Sequence, residues 1–342
     1  MIQAGAEALE PTRNNGIQTM KEQTLATINS VLGPMDTAEL GFTLSHEHVI
    51  VTSAGIQHVY PEFIDRDGTI DRAVGDLKLA YSEGLRSIID VTTLDLGRDI
   101  RMLERVSRES GVNMICATGT WRDIPRVFWM ASPDQIAPLY IREIEEGIEG
   151  TGIKAGIIKV ANDVGGVTPE GEIILRAAAR AQKATGVPIS THTWAPERVG
   201  EQQVRIFEDE GVDLNRVYVG HSNDTTDTDY LIGLLEKGVW LGLDRYPGGT
   251  NPETPDWEGR TETVKKLIDA GFGHRIMLGH DWSVTLLIAN PEMRRLRDER
   301  NPDGYLFITR RVLPRLREMG VSEEAIEQIM VDNPRRFFEG AQ

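Results

Sequence analysis

Eight times along this chain a short apolar, β-branched run is followed by a longer amphipathic stretch rich in Glu, Arg and Ala. No other feature restricts the fold as much, because a strand-helix repeat is the pattern of parallel strands joined by crossover helices. The runs occupy 42–49, 87–93, 114–121, 155–161, 188–193, 217–222, 240–246 and 276–282. Helical stretches at 135–149, 169–185, 198–211 and 260–271 lie between them. Gly186, Gly211 and Gly271 stand where a helix needs a residue that tolerates positive φ in order to stop. Eight such units close naturally into a (β/α)8 TIM barrel of the α/β class. A length of 342 residues suits one barrel domain over 31–342, with 1–30 as a short N-terminal extension. No fixed-period repeat or Pro/Gly linker divides the barrel segment. Asn333 followed by Pro334 predicts an N-cap and a last short helix after the barrel.

The formal charge of -16, with no Lys/Arg-dense run, repels nucleic-acid phosphates and anionic membranes, so neither is expected as a partner. The lone cysteine, Cys116, forms no intrachain disulfide and reads as buried filler in strand three, which fits a reducing compartment. The N-terminus carries early acidic residues and no signal-like apolar run, and a soluble, cytoplasmic protein is expected.

In a βα barrel the C-terminal ends of the strands face the active site, so polar residues that end apolar strands identify it. They are His46 and His48 on strand one, Lys159 on strand four, His192 on strand five, His221 on strand six and Asp281 on strand eight. Strand alternation points His46 and His48 the same way and Glu47 the other, and it turns His280 away from Asp281. Four imidazoles and a carboxylate at one level are the donor set that zinc-like cations prefer. An ammonium on Lys159 would repel such ions. Close to two cations the neutral amine is favoured, and it captures carbon dioxide as a carbamate with one oxygen for each metal; the competing use of Lys159 is an ion pair or an anion contact.

The segments GFTLSHEHV, DVTTLDLGRDI, GIKAGIIKVA, THT, EQQ, VGHSNDT, GLDRYP, GHDW and NPDG together resemble the phosphotriesterase branch of the amidohydrolase superfamily, which includes phosphotriesterase-like lactonases. The resemblance spans nearly all of 31–342. It implies that His46, His48 and Asp281 hold the more buried metal and His192 and His221 the more exposed one, with carbamylated Lys159 and a hydroxide bridging them. Two divalent ions are implied, zinc first, with cobalt, manganese or iron also fitting. Asp281 takes the proton of the hydroxide and Asp224 matches the family's relay aspartate. A homodimer is implied as well.

The two branches differ in the pocket. Asp244-Arg245-Tyr246 resembles the lactonase pattern, in which the arginine shapes the substrate channel; a structural ion pair is the other use for Arg245. Trp121 stands where lactonases usually carry Tyr, and the stretches around Ser53-Ala54-Gly55 and Pro61-Glu62-Phe63 look more like the triesterases. Arg245, Trp121 and Tyr246 are the expected substrate contacts, with Phe128 and Trp129 as either further aromatic walls or packing. Pro247 to Arg260 and Ser283 to Arg300 have the character of lids. The expected activity is hydrolysis of small-molecule esters, with lactones such as acyl-homoserine lactones first and phosphotriesters second. A dedicated phosphotriesterase is the alternative, and a barrel that binds metal or ligand without catalysis is the rival of another class.

Overall fold

The computed structural model describes residues 26–248 and 251–340. Its barrel strands are β1 (Thr43–Val51), β2 (Ser87–Asp90), β3 (Asn113–Thr120), β4 (Ile157–Ala161), β5 (Ile189–His192), β6 (Val217–Val219) and β7 (Trp240–Leu243). The eighth strand, β8, is in two pieces: Ile276–Leu278 pairs with β7 and Trp282–Leu286 with β1, both in parallel. The sheet thereby closes on itself as a TIM barrel.

The break in β8 departs from the unbroken run expected over 276–282. At Gly279 the chain passes so near β1 that a Cβ would lie 3.0 Å from the His46 amide nitrogen. Asp281 then adopts φ 55 and donates its backbone N–H to the His46 carbonyl at 3.0 Å. The sharp turn lifts the Asp281 side chain over the barrel mouth, at the cost of a left-handed backbone that non-glycine residues rarely adopt.

The outer helices are α1 (Arg66–Ser82), α2 (Ile100–Ser110), α3 (Pro133–Glu145), α4 (Pro169–Thr185), α5 (Val199–Asp209), α6 (Thr228–Glu236), α7 (Trp257–Asp269) and α8 (Pro291–Arg300). Side chains of Asp65, Asp99, Thr168, Asp227, Asp256 and Asn290 accept first-turn amides and so fix where six of these helices begin. Gly186, Gly211 and Gly271 all carry positive φ, as their places in the sequence require.

Period-two alternation separates two cores. Ile158, Val160, Val217, Val219, Leu241, Leu243 and Cys116 face outward into the layer between strands and helices. Ile89, Ile115, Ala117, Ile157, Tyr218, Trp240 and Met277 face inward and fill the barrel. Ile28 and Met35, from an antiparallel hairpin (Thr27–Ser30 with Gly33–Asp36), join Phe337 in closing its lower end. Of the expected extension over 1–30, residues 1–25 lie outside the described part.

Asn333 does not start a new helix. Glu323–Glu327, the π-turn Gln328–Asp332 and Asn333–Glu339 run on as one rod that begins at the Ser322 cap. Asn333 is buried inside it and donates to the carbonyls of Gly273 and Ile276 at 2.8 and 2.7 Å. The wider π-turn accommodates Pro334, which lacks an N–H and crowds the preceding turn. The same device precedes Pro314, where Ile308–Val312 is also a π-turn. Among the described residues no helix is long and apolar enough to cross a membrane.

Candidate metal centre

Above the apolar filling, the inward positions turn polar. His46, His48, Lys159, His192, His221 and Asp281 surround one cavity of about 210 Å³, together with Trp121 and Arg245. The pairing of β1 with β2 shifts register between Leu44 and Glu47. This irregularity lets two consecutive residues reach inward: Ser45 bonds Tyr218 Oη at 2.9 Å, and His46 Nδ1 meets Asp244 Oδ2 at 2.8 Å. Glu47 points away from the cavity and accepts from the His280 ring and backbone, both at 2.8 Å.

The remote nitrogens of His46, His48 and His221 are hydrogen-bonded, and that of His192 faces a carboxylate. Asp244 takes the Nδ1–H of both His46 and His221, at 2.8 and 2.9 Å. His48 Nδ1 lies 2.8 Å from Thr92 Oγ1. His192 Nε2 lies 3.4 Å from Asp163 Oδ2, within ion-pair range though outside hydrogen-bond geometry. These contacts fix the tautomers and leave bare lone pairs on the cavity side.

Those lone pairs face one another. His221 Nε2 sits 2.9 Å from His192 Nδ1, which already accepts the Trp121 indole N–H at 3.3 Å. His48 Nε2 sits 3.1 Å from Asp281 Oδ1, and His46 Nε2 lies 3.5 Å from both Asp281 Oδ1 and Lys159 Nζ. Acceptors aimed at acceptors repel unless a cation stands between them, so these residues fit divalent metal binding. The grouping of His46, His48 and Asp281 has the spacing of a ligand set. His46, His221 and Asp244 have similar spacing, but both Asp244 oxygens are engaged by N–H donors, which makes it an orienting carboxylate rather than a ligand.

Burial sets the charge states. It pushes the Lys159 ammonium down to about 7, with the nearby Arg245 charge acting in the same direction against Asp244 and Asp281. It pulls His192 down to about 4 and also lowers His46 and His221, so the rings are neutral and available to metal. Asp244 stays well below the usual carboxylate range although burial opposes it, because the His221 and His46 N–H groups favour its anion, and Asp281 is likewise held low against its burial, with the Arg245 charge beside it favouring the anion.

Arg245 lies between two acids. Its Nε donates to Asp281 Oδ2 at 3.1 Å and its Nη1 to Asp224 Oδ2 at 2.6 Å. The other Asp224 oxygen accepts from Arg260 Nη1 at 2.8 Å, deep in the protein. Asp224 is therefore linked to Asp281 through a guanidinium and not directly. Arg245 is both the ion-paired residue and a cavity residue.

Trp121 lines the cavity as expected. Tyr246 borders a neighbouring cavity while only 1% exposed, and its hydroxyl lies 3.5 Å from Thr261 Oγ1 in the core. Trp129 is half exposed and donates to the Ile124 carbonyl, and Phe128 packs against the core, so neither lines the cavity. Sequence reading gave no role to Thr92, Asp163, Tyr218 or Arg260. It quoted Asp244 only as part of a pattern.

A larger cavity of about 540 Å³ adjoins the first and shares Arg245, Asp281, Leu286 and Arg297 with it. Ala289, Met293 and Leu296 give the outer lobe an apolar side. Part of the segment Ser283–Arg300, expected as a lid, is the second half of β8, and the rest includes α8, which buries none of its residues. In the other lid segment, residues 249–250 lie outside the described part.

Residues 26–338 match the phosphotriesterase family. A phosphotriesterase homology protein of Mycobacterium tuberculosis (strain ATCC 25618 / H37Rv) is 41% identical over 323 residues, covering 91% of this chain and 97% of the relative. An aryldialkylphosphatase of Saccharolobus solfataricus is 39% identical over 308 residues, covering 89% and 96%. A solved structure of the phosphotriesterase from Mycobacterium tuberculosis superposes with a TM-score of 0.85 at 39% identity, covering 92% of this chain and 98% of that one.

Proposed function

The chain belongs to the phosphotriesterase family, and from that membership we propose a binuclear-metal hydrolase that opens lactones such as acyl-homoserine lactones, with phosphotriester hydrolysis as a secondary activity. The observation that carries the hydrolase reading is the set of bare ring nitrogens and carboxylate oxygens aimed at one another across the cavity. His46, His48 and Asp281 would hold one ion and His192 and His221 the other. Lys159, whose ammonium burial pushes down to about 7, would supply a carbamate between them. Zinc is the proposed ion, and cobalt, manganese or iron also suit the donor set. Bound there, two cations acidify a shared water and polarise a carbonyl or phosphoryl oxygen.

The protein's own groups complete the chemistry. Asp281, ionised and open to the cavity, accepts a proton on Oδ2 and returns it to the leaving group. Arg245, held charged by Asp281 and Asp224, accepts no proton, and Asp224, the expected relay aspartate, anchors Arg245 and Arg260. Trp121 sets the His192 ring and covers the metal lobe.

Lactone preference rests on Arg245 at the junction of the two lobes and on the apolar side of the outer lobe, which suits an acyl chain. The second reading, a dedicated phosphotriesterase, is favoured by Trp121 against His192 and by the aryldialkylphosphatase relative. The deciding experiment strips the protein with a chelator, reloads it with zinc and compares kcat/KM for a long-chain acyl-homoserine lactone, an aryl ester and an aryl dialkyl phosphotriester. The highest value is expected on the lactone, with all turnover lost on stripping. A maximum on the phosphotriester selects the second reading, and no turnover on any of them with metal bound leaves a non-catalytic barrel. A cytoplasmic homodimer is the proposed state, and light scattering of the purified chain checks the assembly.

A further inference from the structure

We propose that Asp244 is a shared positioning carboxylate that couples the two metal subsites, so that losing its charge loosens both ions together. The inference rests on the two-metal reading above.

Four donors converge on this one fully buried group. Oδ2 accepts from His46 Nδ1 and Tyr218 Oη, each at 2.8 Å. Oδ1 accepts from the His221 ring at 2.9 Å and the His221 backbone N–H at 2.7 Å. The sequence makes room for it. Asp244 follows Trp240 and Gly242 on the inward face of the seventh strand, and glycines close in on two sides. A Cβ at Gly220 would lie 3.1 Å from Asp244 Oδ2, and one at Gly279 would lie 3.2 Å from Asp244 Cβ.

What sets Asp244 apart is the pair of rings that it serves. Thr92 supports His48 alone and Asp163 supports His192 alone. Asp244 supports one ring from each subsite, and those rings lie 4.7 Å apart at 36°. A rotation of the carboxylate plane turns both. An ion that fixes His46 thereby fixes the plane that orients His221, and by reciprocity an ion on His221 favours binding at His46. An asparagine at this position accepts through one oxygen only. One imidazole N–H then faces an amide N–H₂ and the other faces a neutral acceptor, so both lose support. Replacing a partner of a metal-binding histidine typically costs about 10–100-fold in metal affinity.

The test titrates chelator-stripped full-length protein with Zn²⁺ against a chromophoric chelator and counts bound ions by mass spectrometry. Wild type is expected to hold two ions. Asp244→Asn is expected to weaken both by about tenfold or more, whereas Thr92→Val weakens chiefly the ion held by His48 and lowers the other only to a smaller degree, through the coupling. Circular dichroism of the stripped proteins checks folding. If Asp244→Asn does not fold, Tyr218→Phe, which removes one donor to the same carboxylate, is expected to weaken both ions to a smaller degree. A folded variant at either position that weakens a single ion or neither, beside a two-ion wild type, overturns the coupling alone. A wild type that holds fewer than two ions overturns the two-metal reading and the coupling with it.

Discussion

Arg245 touches Asp281 on one side and Asp224 on the other, so removing its guanidinium changes a cavity wall and a ligand's partner at once. Arg245→Ala is expected to depress lactone kcat/KM by about tenfold or more, as loss of a charged hydrogen bond would, and to depress phosphotriester kcat/KM less. Steady-state kinetics on both substrates measure this, and equal losses would leave the lactone assignment without support. Lys159→Met addresses the bridge. The thioether cannot form a carbamate, and tight binding of the metal pair is expected to disappear; near-normal metal content after dialysis against a chelator would remove the bridge. Both residues were legible because a charged group ending an apolar strand has few structural uses. Asp244 carried the same signal, in step with Trp240 and Gly242, but it was absorbed into the Asp-Arg-Tyr pattern. Thr92 and Asp163 were not legible, since their contacts depend on neighbouring strands. Tyr246, expected from the Asp-Arg-Tyr pattern, lies beyond the end of β7 at Leu243, and its burial beside the outer lobe could not be read from that pattern.

Among the elements, the strands were readable from apolar runs and the helix ends from glycines, because both signals are local. The break in β8 was not, because it arises from the close approach of another strand. Gly119 shows how tightly the sheet is fitted near the site. A Cβ there would lie 1.9 Å from the Lys159 carbonyl oxygen, and its φ of +110 suits only glycine. Gly119→Ala is expected to push β3 from β4 and move Lys159. A destabilisation of about 1–3 kcal/mol is the usual range for overpacking, and the strained φ adds to it. Urea unfolding of the stripped protein gives the stability, and metal content of the loaded protein gives the displacement of Lys159. Wild-type values for both would mean that the two strands part without consequence. The proline-bearing terminal rod was also beyond sequence reading, since Asn-Pro looks like a helix start until the π-turn before it is seen.

At the scale of the whole molecule, the barrel buries at its mouth groups that water would charge, and this makes metal-free stability depend on pH. Lys159 falls from 10.5 in the unfolded chain to about 7 when buried. Between those values the unfolded chain holds a proton that the native one lacks, so stability rises with pH across that window. His192, lowered from 6.5 to about 4, acts likewise: its burial penalty is full below the lower value and gone above the upper one. Both windows favour the folded state toward alkaline pH, each unit of displacement corresponding to about 1.4 kcal/mol. Thermal melting of chelator-stripped wild type and Lys159→Met as a function of pH separates the two. The wild type is expected to gain on the variant between pH 7 and 10.5, while both share the rise from pH 4 to 6.5. Parallel curves across the upper window would mean that the lysine keeps its proton in the folded protein, and the neutral amine needed for a carbamate would then have to be produced by the metals themselves.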